Sequence, residues 1–456
     1  MHHIASDPIS STAMDLEIEA LKEKISQLEI ENKALRDAQT CQVSPLRQDV
    51  AEEIPSHLPM SLPEYRRYGR QMIVPGFGSL SSQLKLKNSS ILVIGAGGLG
   101  CPALLYLCGA GIGKIGILDN DTVDESNLHR QVLHTTDSVG MLKCDSAKKF
   151  LSRLNPHVEL LTHPVRLSNE NAFDIVAQYD LVVDCTDTPA TRYLINDVSV
   201  LLGKTIVSGS GVKSDGQITI LNYKNKGPCY RCFHPKPPTP DSVPTCSDAG
   251  VLGPAIGLTG IALATETIKV LIDYYQDKFS PFIAMYSAFP QQTMRVFKMR
   301  GRQRTCAVCG DKPTISKEQI QSSVIDYAAF CGVVTYDAIP AENRKSVHEL
   351  AEKLQANASL LVLDVRPKDQ FEIAHLPNAL NIDWERTLSK ADAIDEYLPP
   401  NFSKEKDEVF VMCRYGNDSQ LAARRLISEL GFRNVQDVRG GINKWSLEID
   451  RNVPIY

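Results

Sequence analysis

Residues able to do chemistry fall in four groups. In the first, the apolar run Ile91–Ile94 feeds a turn with Gly95, Gly97, Gly98 and Gly100, and the next apolar run, IGILDND, ends in Asp119 and Asp121. The GxGxxG spacing lets backbone approach phosphates, and the following helix N-terminus offers free N–H groups to them. An acid about twenty residues on can take ribose hydroxyls, which suits Asp119. Downstream, SNLHRQ (Ser126–Gln131) and Lys143 add cations. A dinucleotide site holds a diphosphate and seldom needs these. A triphosphate under attack needs cations to stabilise developing charge, so the reading is ATP rather than NAD. Asp187, after the run LVVDCTD, is a hard-oxygen donor suited to Mg²⁺.

Cysteines supply the other groups. Cys229 with Cys232 and Cys306 with Cys309 form two CxxC pairs, four thiolates for one closed, structural Zn²⁺ site. Cys246 follows a proline-rich run, PKPPTPDSVPT, expected as a long irregular loop. A thiol there could form a thioester with an activated acyl group or cleave an acyl disulfide. Cys413 lies between the run EVFVM and a helix starting near Ser419. Backbone N–H groups at a helix start, with Arg414 beside them, would stabilise a thiolate or persulfide there. Cys101, Cys108, Cys144, Cys185 and Cys331 sit in apolar or helical contexts and are assigned to packing.

The elements holding these groups need more than one core. A length of 456 residues gives roughly two to four domains at about 150 residues each. An extension, 1–60, carries Ile18, Leu21, Ile25, Leu28, Asn32 and Leu35 at alternating spacings of three and four, a heptad seam over 15–37. It reads as a short coiled coil or an amphipathic helix. Residues 61–312 form an α/β domain with a mostly parallel sheet, 313–341 a linker, and 342–456 a smaller α/β module. A net charge of −5 gives no general nucleic-acid footprint. The uncharged stretch Ile91–Gly113 is long enough to span a membrane, but its glycines and Pro102 fit a buried strand–turn–helix better. Twelve cysteines, with no apolar leader at the N-terminus, suggest reduced thiols and a cytoplasmic protein.

GAGGLG, DNDTVDESNLHRQ, Lys143, DCTDT and GQIT, in that order, resemble the ubiquitin-activating-like adenylyltransferases over about residues 61–312. The resemblance implies a Rossmann-like fold with ATP held by Gly95, Gly97, Gly98, Gly100, Asp119, Ser126, Asn127, Leu128, His129, Arg130, Gln131, Lys143, Asp187 and Thr188. It implies that Asp119 binds ribose, Arg130 and Lys143 contact phosphates, and Asp187 carries the metal. It also matches Arg70, in RRYGRQ, to an arginine given across a homodimer interface, and includes the four-cysteine zinc site. The expected reaction is attack of a ubiquitin-like carrier's C-terminal glycine carboxylate on ATP. LDVRP, FEIAHLPNALNI, CRYGNDS and GGINKW resemble a rhodanese domain, which implies a persulfide on Cys413 supported by Asp364 and Arg366. Asp418 in the loop disfavours thiosulfate and points to a protein persulfide donor such as a cysteine desulfurase. The fusion resembles the eukaryotic molybdopterin-synthase adenylyltransferase and sulfurtransferase family, which also activates a ubiquitin-related modifier for tRNA thiolation. No direct nucleic-acid or membrane partner is expected. The alternative is an activator that passes the carrier as a thioester to lysines, with the rhodanese part as a docking module.

Overall fold

A computed structural model describes residues 58–237, 250–331 and 338–456, with residues 22–24, 27 and 31 of the N-terminal extension. The heptad positions and Cys246 lie outside the described residues. The chain divides at Arg70 into two units. In the first, Ser61 starts the helix Leu62–Met72: its backbone N–H and hydroxyl both donate to Glu64 Oε2, at 2.8 and 2.9 Å, closing orphan groups at the helix start.

The second unit contains two sheets. The larger has eight strands in the order β3-β2-β1-β4-β5-β6-β7-β8. They are β1 Ser90–Ile94, β2 Lys114–Leu118, β3 Glu159–His163, β4 Leu181–Asp184, β5 Thr205–Val212, β6 Asp215–Leu221, β7 Phe282–Ser287 and β8 Thr293–Lys298. The first five are parallel and the last three antiparallel. Strand order reverses beside β1, and such a switch point leaves a crevice at the carboxyl ends. Register sets the level of that crevice: Ile94 pairs with Leu118 on one side and Asp184 on the other. The residues that follow, Gly95, Asp119 and Cys185, therefore emerge together.

Alternate β1 residues enter different cores. Ile91 and Val93 pack with the helices Gly100–Ala110 and Gly253–Leu271; Leu92 and Ile94 pack with Phe173, Tyr179 and Tyr193. Both faces are covered, as a parallel sheet requires. The helix Gly253–Leu271 is long and apolar enough to cross a membrane, yet its Ile256, Leu263 and Ala264 are buried in this core. Cys101, Cys108, Cys144 and Cys185 are buried and Cys331 half-buried.

The smaller sheet is wholly parallel, in the order β11-β10-β12-β13-β9. Its strands are β9 Arg344–Lys345, β10 Leu361–Asp364, β11 Leu380–Asn381, β12 Glu408–Met412 and β13 Asn434–Val438. Among the described residues, its cores share none with those of the larger sheet.

The stretch 313–341 differs from the linker expected of it. It contains the helices Lys317–Gln321 and Tyr327–Cys331. Ile320 and Tyr327 are buried in the larger sheet's core, and the Tyr327 hydroxyl donates to Asp197 Oδ2 at 2.9 Å. Ile339 already belongs to the smaller sheet's core. Apolar burial of this kind offsets the chain entropy that would otherwise favour a coil.

Candidate active sites

A cavity of about 580 Å³ opens at the switch point of the larger sheet. Gly95 sits at φ +98°, a conformation costly for any residue with a Cβ. A Cβ on Gly100 would fall 1.8 Å from the Gly95 carbonyl oxygen. A Cβ on Gly97 would meet only Gln131 Nε2, at 3.7 Å. The first two glycines serve the fold of the turn, whereas Gly97 keeps space open on the cavity side.

Polar groups converge on that space. Asp119 accepts from the backbone N–H groups of Ala96, at 2.8 Å, and Asp121, at 2.9 Å, which fixes its carboxylate at the rim. Lys143 is buried, its ammonium 2.9 Å from exposed Asp121. Asp124 caps the turn Glu125–Asn127 by accepting from Ser126 N at 2.9 Å. Hydrogen bonds from Ser126, side chain then backbone, hold the Asp124 carboxyl below the usual carboxylate range. The same turn aims Arg130, whose guanidinium donates to Asn127 Oδ1 at 2.5 Å and Ser126 O at 3.3 Å, and lies 2.7 Å from His129 Nε2. Gln131 is buried with its Oε1 unpaired.

Gly95, Gly97, Gly98, Asp119, Arg130, Gln131, Lys143, Asp187 and Thr188 all line the cavity. Gly100 sits behind the turn. Ser126, Asn127, Leu128 and His129 stand outside the lining, three of them arranging Arg130. Arg70 is exposed in the last turn of the helix Leu62–Met72, outside that set. Asp187 is exposed at the cavity mouth, an oxygen donor placed where a phosphate-bound Mg²⁺ would fit.

Cys413 follows β12 and is 2 % exposed. Its Sγ accepts from the N–H groups of Gly416, at 3.1 Å, and Asn417, at 3.2 Å, and lies 3.3 Å from Ser419 Oγ. The cradle expected from the sequence is present, but its balance runs the other way. Burial, with Asp418 second, pushes the Cys413 thiol up, against the lowering by these hydrogen bonds. Asp364 and Arg366 form a buried ion pair beside the loop, 1 % and 2 % exposed, with Arg366 Nε 2.9 Å from Asp364 Oδ1. Arg414 stacks on the Tyr456 ring at 4.5 Å, which holds its charge at the loop mouth.

The four cysteines of the CxxC pairs meet. All their sulfurs lie within 4.8 Å of one another, with neighbours at 3.4 to 3.9 Å. Zn–S bonds of about 2.3 Å place tetrahedral sulfurs about 3.8 Å apart, so the residues fit zinc. Gln303 N–H donates to Cys232 Sγ at 3.3 Å, a backbone contact that favours thiolate. Arg231, between the first two cysteines, is buried against Asp197, Nε to Oδ1 2.8 Å.

The ThiF family model matches residues 68–308, and the Rhodanese-like domain model residues 346–448. The chain is 60 % identical over 442 residues to Adenylyltransferase and sulfurtransferase UBA4 of Scheffersomyces stipitis, covering 96 % of this chain and 98 % of that protein. It is 59 % identical to the protein of that name from Debaryomyces hansenii, covering 97 % and 100 %, and 58 % identical to that of Candida albicans, covering 96 % and 99 %. The chain belongs to the UBA4 family. Like its UBA4 relatives, it is an adenylyltransferase and a sulfurtransferase.

Two residues of this UBA4-family site, His134 and Arg192, gave no signal in the sequence; a third, Asp184, opens the DCTDT motif, but its contacts are not legible there. His134 is buried and bridges Ser146 Oγ, at 2.9 Å, to the Ala96 carbonyl of the glycine turn, at 3.0 Å. Arg192 lines the cavity and donates to Thr186 O and Gly209 O, joining the ends of β4 and β5. Asp184, at the end of β4, accepts from Thr186 N at 3.0 Å and Ser208 Oγ at 2.7 Å, shaping the loop that presents Asp187. An apolar–polar pattern could place Asp184 at a strand end, but nothing local distinguishes His134 or Arg192 from surface residues.

Two predictions arise from this geometry. Replacing Cys306 with serine is expected to remove stoichiometric zinc, measured by elemental analysis, and to lower the unfolding midpoint by about 10 °C. Zinc retained at full occupancy would refute the four-sulfur site. The second concerns pH. Burial is the first cause holding His129, His134, His163 and His234 below the ordinary histidine range. The unfolded chain then binds more protons as pH falls through about 6.5, so stability present above that pH is lost below it. Thermal unfolding is expected at a lower temperature at about pH 5.5 than at about pH 7.5; a flat profile would contradict it.

Proposed function

We propose that this chain adenylates the C-terminal glycine of a ubiquitin-like sulfur-carrier protein with ATP, then converts it to a thiocarboxylate with a persulfide carried on Cys413. The observation supporting this most strongly is the pairing, on one chain, of a cation-lined switch-point cavity with a cysteine in a backbone N–H cradle.

In the first step the glycine carboxylate attacks the α-phosphorus of ATP, forming an acyl-adenylate and releasing pyrophosphate. An anion approaches an anion, so the work falls to positioning and charge. Asp119 holds the ribose, Arg130 and Lys143 take phosphate oxygens, and Gly97 lets backbone close on them. Asp187 would hold Mg²⁺, which would neutralise phosphate charge. In the second step the terminal sulfur of the Cys413 persulfide attacks the acyl carbon; a C–S bond forms and AMP leaves. Cys246 then attacks Cys413 Sγ; the Cys246–Cys413 disulfide forms as the bond from Sγ to the acyl-bearing sulfur breaks, and that sulfur leaves with the carrier as the thiocarboxylate. Alternatively, Cys246 first takes the acyl group as a thioester.

We take the working unit as a homodimer in which Arg70 completes the partner's ATP site, and a cysteine desulfurase-type protein as sulfur donor. The thiocarboxylate would feed molybdenum cofactor synthesis and 2-thiolation of tRNA wobble uridine. Thiolate chemistry suits a cytoplasmic setting. Intact-mass spectrometry of a ubiquitin-like carrier, incubated with the enzyme, Mg·ATP and a persulfide donor, tests the reading. A mass gain equal to sulfur replacing oxygen is expected. An unchanged carrier with pyrophosphate released would confine the chain to adenylation.

A further inference from the structure

Fixing the carbonyl oxygen of a trans peptide also fixes the N–H on its far side, because the six atoms share one plane. At the glycine turn, both peptide planes of Ala96 are held from outside the turn. The N–H of the first donates to Asp119 Oδ2 at 2.8 Å. The carbonyl oxygen of the second lies 3.0 Å from His134 Nε2. That second plane carries the Gly97 N–H, which points away from His134 and has no acceptor among the described residues. Gly97 lines the cavity, so this N–H is left for a ligand there. The partners of His134 fix its tautomer. A carbonyl accepts and never donates, so Nε2 carries the proton. Nδ1 of the neutral ring then accepts from the Ser146 hydroxyl, 2.9 Å away. His134 and Ser146 are 4 % and 5 % exposed, so neither bond competes with bulk water. Burial is the first cause keeping the imidazole neutral, and Lys143 acts the same way, against the pull of the Ala96 carbonyl and Asp119. Ser146 stands on the helix Lys143–Leu154, so the bridge ties the turn to the helix that brings the buried ammonium. The Cys101 thiol also approaches Ala96 O, at 3.2 Å, but a thiol is a weak donor.

We propose that His134 is a positioning residue for ATP binding: its Nε2–H holds the Ala96 carbonyl so that the Gly97 N–H meets a phosphate oxygen. This rests on the reading of the cavity as the ATP site. His134 stands outside the cavity lining and acts through the Ala96–Gly97 peptide. Without its donor that plane is free to rotate, because the glycines on either side of Ala96 resist little. The N–H then loses its aim, and ATP would have to order the turn on binding. With the donor in place the charge-assisted bond from N–H to phosphate forms without that cost.

The test measures the affinity of the full chain for Mg·ATP by isothermal titration calorimetry. His134→Leu keeps an apolar side chain but has no donor, and is expected to weaken binding by about 30-fold, the worth of one hydrogen bond to a charged group. His134→Gln places an amide N–H near where Nε2 stood, and should bind within about threefold of the unaltered chain. Equal weakening in the two variants would mean that packing matters and the donor does not, and would overturn the proposal. Unchanged affinity in His134→Leu would overturn it as well. Should His134→Leu not fold, ¹⁵N spectra of the unaltered chain decide, with the His134 signals assigned by their absence from His134→Gln. A proton on His134 Nε2 and a downfield shift of the Gly97 amide proton on adding Mg·ATP are expected; the absence of either would overturn the clamp. No binding of Mg·ATP by the unaltered chain would overturn the ATP reading itself, whereas binding that ignores His134 would overturn only the role given to this residue.

Discussion

Replacing Cys413 with alanine is expected to cut thiocarboxylate formation by more than about 10³-fold while ATP–pyrophosphate exchange keeps its original rate. On the proposed function the sulfur is the nucleophile of the second half-reaction only, so its loss would remove a bond-forming atom, not a binding contact. The structural cost is small. Cys413 lies in the smaller sheet's core beside Val411 and Ala422, and removing one buried sulfur there costs about 1 kcal/mol. Among the described residues, that core shares none with the cores around the switch-point cavity. Exchange measured with labelled pyrophosphate, and carrier mass measured in the same reaction, separate the two halves. If exchange falls along with sulfur transfer, the division of labour between the sheets is wrong. If sulfur transfer survives, Cys413 is not the carrier.

Arg130→Ala should give the reciprocal result. Its guanidinium is already held by Asn127, Ser126 and His129, so no ordering is needed when charge develops on the phosphates. Removing one such preorganised donor typically costs 10²–10³ in rate, roughly what is expected here for exchange. Persulfide loading on Cys413 should be unchanged. Lysine should not rescue it. One arm of the Arg130 fork holds Asn127 and the other meets Ser126 O and His129 Nε2, a planar geometry that an ammonium cannot reproduce while also facing a phosphate. Exchange within twofold of the original would place the phosphates elsewhere.

The parts legible in the sequence were those whose requirement is local. The glycine turn announces itself because Gly95 needs a positive φ and Gly100 a close backbone approach, constraints that spacing alone records. The four CxxC cysteines and the Cys413 loop are legible for the same reason. Strand β3, ELLTH, escaped notice because its short run ends in polar residues and is recognisable only through pairing with β2. Strands β7 and β8 escaped because Met285, Met294 and Val296 stay exposed, so no clean alternation of apolar and polar survives. His134 and Arg192 matter through carbonyl groups brought to them by other strands, which is tertiary information. The N–H donors around Cys413 are visible in a loop sequence, whereas the burial that pushes its thiol up is not.

The seating of Ile320 and Tyr327 on the larger sheet changes how sulfur delivery should be thought of. A thirty-residue coil would make Cys413 a diffusing reactant, its effective concentration averaged over a wide volume and falling slowly with tether length. With both ends docked, the local concentration of the proposed Cys413 persulfide at an acyl-adenylate would be decided by geometry: high for an acceptor within reach, and vanishing for one outside it. On that reading, specificity for the right adenylate would come from the tether as well as from recognition of the carrier, and the hydrophobic anchor of Ile320 and Tyr327 would set the range over which sulfur can travel.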